Sequence, residues 1–532
     1  MKKFNFSFIA FSFALMVLSS CSSLDKNAPL VPKDAAIVLH LNTNSLSSKL
    51  SWDDIKKTNW FIQMSSEQKD SLTKKLLENP DNSGIDTGDG LFVFMRKTQD
   101  GAGYGGFTGK IKNAAAFEAF NKKISEGKEV INKNNLKSIV FADKATVTWN
   151  DNQFLYLAQS DFTPPAFDMD STGQRVYREH APLNLQDVAA RIFNYKKDSL
   201  ITDNDRFNSL LKDAGDVHLW SNAEGMSMDN ANLGFLSLLR TDVYFKESVT
   251  AATLSFEKGK IVMHAKMYSN KEMEEVMRKY SGDNINLNYI ERIPSDNVVG
   301  LLAANYKPEG LKQFLKLGGL DGLVNSFLGK YDLTLDQVVA ASKGDMLITV
   351  TDVGVKRKMV SLGQGMDSLP INSPSAEVLL AMSVKDKAPF EKLVGVAQQM
   401  GKNGQLPAGV TYKFGSDLFV VGTNPGMVDQ YLKGGNKEFP FTSKIKGHPI
   451  AFYLDLNKLI STFNEQIKDT AANSVFKASV EMWKDVVATG GEFKDGAVQQ
   501  EIEVNMVDQN TNSLQQLNSY IDKVSSNRKK PF

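Results

Sequence analysis

The chain has 532 residues, and its hydrophobic (42%) and charged (23%) fractions match those of ordinary globular proteins, which excludes wholesale disorder. Its 62 basic and 61 acidic residues nearly cancel, which argues against nucleic-acid binding or electrostatic steering to anionic membranes. More than 500 residues exceed what one core supports, so two domains are expected.

The first twenty residues have the pattern of a bacterial lipoprotein signal peptide. Lys2 and Lys3 precede an apolar stretch at 4–18, which is shorter than the roughly 20 residues of a membrane span. Small residues then lead to Cys21, the only cysteine. We therefore expect cleavage before Cys21, lipidation of its thiol and no disulfide. This predicts a lipid-anchored protein of the cell envelope, at the outer membrane, with the periplasmic or surface face left open.

From residue 31 onward, strands and helices follow an order that returns later in the chain. A strand entered through Pro32 is followed by a helix, and the same pattern returns at Pro294. Four further segments recur in the same order. Their paired copies are 104–124 and 377–399, 153–158 and 417–422, 216–222 and 448–455, and 248–268 and 486–507. Five elements in one order favour a tandem duplication.

The predicted fold class is α+β, with two tandem similar domains, each a mainly antiparallel sheet with amphipathic helices on one face. Apolar and polar residues alternate along 498–506, as in a strand with one covered face. Elsewhere apolar residues recur at helical spacing. One such stripe is formed by Phe476, Val480, Trp483 and Val487.

The domain boundary is expected in the polar stretch at 282–297, and a Gly-, Ser- and Pro-rich stretch at 362–374 predicts a hairpin insertion. The predicted organisation is a signal peptide at 1–20, a lipid tether at 21–30, a first repeat domain at 31–285, a second repeat domain at 290–525 and a tail at 526–532.

Several of these features occur together in one known family. They are the Cys21 lipobox, the proline-entered strand followed by Asn and a helix, the segment 215–220 after a helix at 207–212, and the duplicated plan. In these the chain resembles a lipoprotein family of Bacteroidota described as a domain of unknown function (4836). The resemblance covers nearly the whole mature chain. It implies a compartment and a fold, and it supplies no catalytic residues.

A glycine-rich segment at 101–106 has the spacing of a dinucleotide-binding fingerprint. That site needs a helix directly after the glycines, so that backbone amides face the pyrophosphate. Here a strand at 91–97 precedes the segment and a second strand at 107–111 follows it. The pattern therefore predicts a β-hairpin, and no cofactor is expected.

One acidic segment has the ligand spacing of a calcium loop. Asp168, Asp170, Thr172 and Glu179 stand at positions 1, 3, 5 and 12, with a glycine at position 6. Prolines on both sides interrupt the two helices that would clamp such a loop. We therefore favour a solvated turn, and calcium binding remains the alternative.

Catalytic motifs are missing from the sequence. The five histidines show no metal-ligand spacing, no Gly-x-Ser-x-Gly elbow occurs, and the single thiol is assigned to the lipid. We therefore expect a protein that is not an enzyme, a scaffold or binding module with an envelope protein as partner and no nucleic acid. The alternatives are a peptide- or glycan-binding surface protein that uses the cleft between its lobes, and a hydrolase with dispersed carboxylates.

Overall fold

The computed structural model describes residues 28–526 apart from 68–79, 99–101, 143–144, 162–165, 170–173, 179–181, 227–239, 361–368, 401–408 and 465–469. The chain forms two compact units. The first contains Met1–Asp229, Glu247–Glu257 and Leu514–Ser526, and the second contains Asn230–Lys246, Lys258–Ser513 and Asn527–Phe532. Helices and antiparallel sheet occur in both, so the α+β fold class is confirmed.

The first unit contains an antiparallel sheet with the strand order β4-β5-β6-β7-β3-β2-β1-β10-β11, and a separate hairpin of β8 and β9. Its strands are β1 (Ile37–Leu41), β2 (Leu91–Lys97), β3 (Ala102–Lys110), β4 (Ile131–Lys133), β5 (Leu136–Ala142), β6 (Ala145–Trp149), β7 (Gln153–Asp161), β8 (Ala166–Met169), β9 (Arg175–Arg178), β10 (Val217–Asn222) and β11 (Val249–Glu257).

The helices of this unit begin at side-chain caps that the sequence places before them. Asn42, Asn113, Asn184 and Asn204 each accept a hydrogen bond from a backbone N–H in the first turn of the following helix. The helices are α1 (Thr43–Lys49), α2 (Trp52–Lys56), α3 (Asn59–Glu67), α4 (Ala114–Ile124), α5 (Leu185–Phe193), α6 (Asp205–Leu210) and α7 (Ala223–Met226), followed at the chain end by the C-terminal helix (Ser513–Ser526).

The core of the first unit lies around β6 and β7. Phe117 of α4 packs with Trp149 and Phe154, whose rings lie 5.7 and 5.2 Å from its own. Every residue of β6 is buried, so both faces of this strand are covered. The sequence predicts cover on one face only, and α5, which contacts β5, β6 and β7, adds to the cover that α4 provides.

The second unit contains an antiparallel sheet with the strand order β12-β20-β19-β18-β13-β14-β15-β17-β16. Its strands are β12 (Lys260–Tyr268), β13 (Val298–Asn305), β14 (Asp345–Val360), β15 (Leu369–Ser383), β16 (Thr411–Phe414), β17 (Leu418–Gly422), β18 (Ile450–Asp455), β19 (Trp483–Lys494) and β20 (Ala497–Met506).

The second unit contains helices between its strands. They are α8 (Lys271–Tyr280), α9 (Asn288–Glu291), α10 (Pro308–Leu317), α11 (Asp321–Gly329), α12 (Leu335–Ala341), α13 (Lys387–Met400), α14 (Pro425–Lys433), α15 (Thr442–Ile445), α16 (Leu456–Asn464) and α17 (Thr470–Met482). Tyr431 of α14, Ile290 of α9 and Ile445 of α15 pack with Leu347 and Ala451 in the main core of this unit. We call this side of the sheet the inner face.

The opposite side, which we call the outer face of the second sheet, carries apolar residues that are only partly covered. One row crosses six neighbouring strands at Ile348, Leu302, Phe452, Ala488, Ile502 and Met263. Phe452 and its strand neighbour Ile450 are 38% and 45% exposed. The alternation predicted for 498–506 is confirmed, but the apolar residues of β20 point to the outer face, while the inner face takes the polar ones.

Other predicted elements agree in part with the structure. The stretch at 362–374 lies in the β14–β15 hairpin, where Val360 pairs with Leu369, and 361–368 are outside the described residues. The predicted stripe at 476–487 is not one helix, because α17 ends at Met482 and β19 begins at Trp483. The predicted limits place the final helix in the second domain, whereas Leu514–Ser526 belong to the first compact unit.

Candidate functional site

The most highly connected buried charge in the described residues is Asp216, just before β10 in the first unit. Its carboxylate is fully buried. Oδ1 accepts from Ser45 Oγ at 2.5 Å, and Oδ2 accepts from Lys49 Nζ at 2.6 Å and from the backbone N–H of Phe256 at 2.5 Å. Ser45 and Lys49 are i,i+4 neighbours on α1, so one face of that helix is fixed to the sheet by a single carboxylate.

A pair of histidines lies on the two strands next to this carboxylate. His40 of β1 and His218 of β10 are directly cross-strand, and their Nδ1 atoms are 3.0 Å apart. His218 Nε2 is 2.9 Å from the carbonyl oxygen of Asp213, which only accepts, so this nitrogen carries the proton. In the contact between the two rings, one Nδ1 donates and the other accepts.

The surroundings of His40 keep it neutral. Its ring stacks on Phe92 with centroids 4.6 Å apart, and a Cβ at Gly90, where φ is +69°, would lie 2.4 Å from its Nε2. Only glycine therefore lets the backbone approach the ring this closely. Burial, and then the neighbouring His218, lower the pKa of His40 to about 3.

The contacts of this polar cluster hold a helix and two strands together. Lys49 forms an ion pair with the Asp216 carboxylate, and the Ser45 hydroxyl donates a hydrogen bond to the same carboxylate. The two histidines are hydrogen-bonded to each other and to a backbone carbonyl. The arrangement fixes the start of α1 on the ends of β1 and β10.

The second unit has a related ionic cluster on the inner face of β20. Glu503 accepts from Lys260 of β12 and from Lys444 of α15, the latter at 2.6 Å. Burial favours the neutral acid, but the two lysines outweigh it and hold the pKa of Glu503 below its usual range. Glu503 is therefore an ion-pair partner of one lysine from a neighbouring strand and one lysine from a helix.

Of the predicted calcium ligands, Asp168 lies in β8, opposite Val176 of β9. Asp170, Thr172 and Glu179 lie outside the described residues. A β-hairpin therefore flanks this segment, where an EF-hand has two helices. Over the parts of the chain that the structure describes, no group of three His, Cys, Asp or Glu residues is placed to hold a metal ion.

Other predicted residues are placed as follows. The glycine-rich segment is confirmed as part of a β2–β3 hairpin, because Gly103, Gly105 and Gly106 lie within β3. Cys21 and His180 lie outside the described residues. Within the described residues, no helix is both long and apolar enough to cross a membrane.

Two further histidines lie beside glutamates, and two tryptophans pack in the core. His264 is 3.1 Å from Glu501, and His448 is 2.5 Å from Glu492. Trp149 and Trp220 are buried in the core. From the sequence, the five histidines are interpreted as single residues, and the His40–His218 pair is missed. These two residues are 178 positions apart, and only the strand order brings them side by side.

Comparison with known proteins gives a family and two weak structural similarities. The profile of a family described as "Domain of unknown function (DUF4836)" matches residues 27–446. Two solved structures, described as crystal form IV and crystal form I of TP0453, share 11% and 10% identity with this chain. Each match covers 46% of this chain and 81% or 79% of the other, with TM-scores of 0.24 and 0.23. No curated protein matches.

Proposed function

Because the chain belongs to the DUF4836 family, whose function is unknown, we propose its role from its own residues. It is a lipid-anchored envelope protein without catalytic activity that binds a protein partner through the outer face of the second sheet. The observation that carries this proposal is the exposure of Phe452, which lies in the middle of an apolar row, and of its strand neighbour Ile450. The buried polar clusters support the proposed absence of catalytic activity, because their charged groups hold helices to strands.

The size of the outer face suits a protein partner. Six strands at about 4.8 Å spacing span about 24 Å, and the three rows through Ile450, Phe452 and Leu454 add about 13 Å along the strands. The product, about 300 Å², is the area of sheet that these three rows cover, and Ile450 and Phe452 are exposed within it.

The chemistry of the outer face points to the same class of partner. The row beside the Phe452 row is formed by Val350, Gly300, Leu454, Val486, Val504 and Ile261. Neither row contains a charged residue. Interface centres are depleted of charge and enriched in aromatic residues and methionine, and Phe452 and Met263 provide both here. An apolar protein surface therefore fits better than an anionic polymer.

Site-specific photo-crosslinking in intact cells tests this binding surface. With benzoylphenylalanine in place of Phe452, we expect one discrete adduct, because a specific partner presents one surface to this position. The adduct should disappear when Ile450→Asp is added, since a charge in the middle of an apolar interface costs several kcal/mol when desolvated. The captured protein should then bind the purified chain at least tenfold more weakly when Ile450→Asp is present.

The matched control places the same crosslinker at Ile131 of β4, which is also 45% exposed but lies in the first unit. Equal adducts at both positions, or an adduct at position 452 that persists with Ile450→Asp, would contradict the proposed surface. An adduct of twice the chain mass would assign the partner as a second copy of this chain.

The membrane anchor is the second part of the proposal, and it depends on Cys21. Two or more acyl chains hold a protein on a membrane stably, whereas one chain does so only marginally. We expect Cys21→Ala to remain unprocessed or to leave the membrane fraction, as measured by fractionation and the mass of the mature chain. Ser22→Ala is the control and should behave as wild type. A Cys21→Ala protein that is matured normally and stays membrane-bound would rule out lipid anchoring.

We also infer that the two halves of the chain arose by tandem duplication. The order β11-β10-β1-β2-β3-β7-β6 in the first sheet corresponds to β19-β18-β13-β14-β15-β17-β16 in the second. The first strand of each of the five segment pairs occupies an equivalent place in these two orders, which supports the inference. Superposition of the two sheets in an experimental structure tests it, and fewer than three matching pairs would contradict it.

A further inference from the structure

The C-terminal helix packs on α2 and α3 of the first unit, about 450 residues earlier in the chain. Beneath it lies a buried apolar cluster formed by Leu50, Trp52, Ile55 and Phe61. From the C-terminal helix, Leu514 packs against this cluster, and Trp60 and Met64 lie at its border. The cluster is continuous across α2 and α3, so these helices present one apolar surface, which we call the groove and against which Leu514 of the C-terminal helix packs.

Polar contacts fix the position of the C-terminal helix in the groove. Asp522 accepts from the backbone N–H of Trp60 and from Asn59 Nδ2, both at 3.0 Å. The carboxylate therefore caps the N terminus of α3, where the helix dipole favours a negative charge. Asn518 Oδ1 accepts from the indole N–H of Trp60 at 3.1 Å, and Gln515 donates to the carbonyl of Lys49 at 2.8 Å.

The C-terminal helix buries little of its own surface. Along 513–525 only Ser513 is buried, and Ile521 is 40% exposed. An element that buries little apolar surface opens at a lower free energy than the whole domain. Once detached, a helix of 14 residues is marginal in water, so opening would also unwind it.

From these contacts we propose that the C-terminal helix is a displaceable strap over a helix-binding groove. The groove fits an amphipathic helix that offers a carboxylate to the N terminus of α3, an amide oxygen to Trp60 and an apolar residue to the cluster around Trp52. In the closed state the chain's own residues Leu514, Asn518 and Asp522 fill these three positions. This inference does not depend on the outer face of the second sheet.

Binding of the strap in trans tests the proposal. A fluorescent peptide of residues 513–526 is titrated against the full chain and against a chain that ends at Asn512, with fluorescence anisotropy as readout. We expect at least tenfold tighter binding to the shortened chain, because in the full chain the attached strap competes. The Asp522→Asn peptide should bind about tenfold more weakly, which corresponds to the loss of a charge-assisted hydrogen bond. The Ser519→Ala peptide changes an exposed residue and should bind unchanged.

Hydrogen exchange of the full chain decides the question if the shortened chain fails to fold. Amides of the C-terminal helix should exchange at least 100-fold faster than those of β1, and Asp522→Asn should accelerate only the former. A folded shortened chain that does not bind the peptide would overturn the proposal. So would a C-terminal helix whose amides exchange only with global unfolding.

Discussion

Replacing Asp216 by asparagine is expected to destabilise the first unit by about 3–5 kcal/mol, the range found when one partner of a buried ion pair is removed. The wild-type carboxylate accepts from three donors and is fully buried. Asparagine has the same shape, but its amide NH2 would face a donor, and the charge that balances Lys49 is lost. The 25% exposure of Lys49 lets its ammonium turn partly toward water, which places the expected cost at the lower end of this range.

Urea unfolding monitored by tryptophan fluorescence measures this loss, because Trp220 lies in the same unit. Asp203→Asn is the matched control. Asp203 forms an ion pair of the same length with Lys33, but its side chain is 34% exposed and water screens the pair, so only a small loss is expected. A loss below 1 kcal/mol for Asp216→Asn would mean that the cluster does not hold α1 to the sheet.

Local elements of this fold follow well from the sequence, since they depend on short-range patterns. The segment at 104–124 contains a strand followed by α4, because Asn113 caps the start of this helix and apolar residues recur along it at helical spacing. The predicted helical stripe through Phe476 and Trp483 is wrong, because no local signal marks the end of the helix. A strand that begins at Trp483 continues the apolar spacing by coincidence, and no Gly or Pro marks the change.

The partners of each element are much harder to predict, since they depend on strand order and on packing between distant segments. The alternation of β20 is correct, yet it does not tell which side is the core. In the structure the side with Glu503 faces the inner layer, where Lys260 and Lys444 compensate its charge. In the same way, no local pattern in the C-terminal helix indicates that Asp522 contacts the start of the helix at Asn59.

The candidate polar cluster shows the same difference between a local sequence pattern and contacts that depend on strand order. The segment that contains Asp216 and His218 stands out in the sequence as part of the family resemblance, without an indication of its chemistry. Its meaning appears only when β1 and β10 lie side by side and bring His40, Ser45 and Lys49 to it. The motif here marks residues that hold α1 to the sheet, and it matches no catalytic motif.

The His40–His218 pair should make the first unit acid-sensitive. In the folded protein the pKa of His40 is about 3, against an ordinary value of 6.5, so the unfolded chain takes up the proton first as the pH falls. Stability from this group is therefore complete above pH 6.5 and declines as the pH falls from 6.5 toward 3. At pH 5 the expected loss is about 2 kcal/mol, from 1.5 pH intervals at 1.36 kcal/mol each.

Urea midpoints at pH 7.5 and pH 5.0 measure this dependence, with His40→Asn as the test variant. Asparagine keeps a donor near the position of Nδ1 but does not titrate, so its stability should fall by about 2 kcal/mol less than wild type over this interval. It gives up the stacking on Phe92, so a lower stability at both pH values is expected and does not affect the comparison. His264→Asn is the control for the loss of a histidine outside the first unit, and the unfolding of the first unit should be the same as in wild type at both pH values. If His40→Asn loses as much stability between the two pH values as wild type, the buried pair is not the acid-sensitive element.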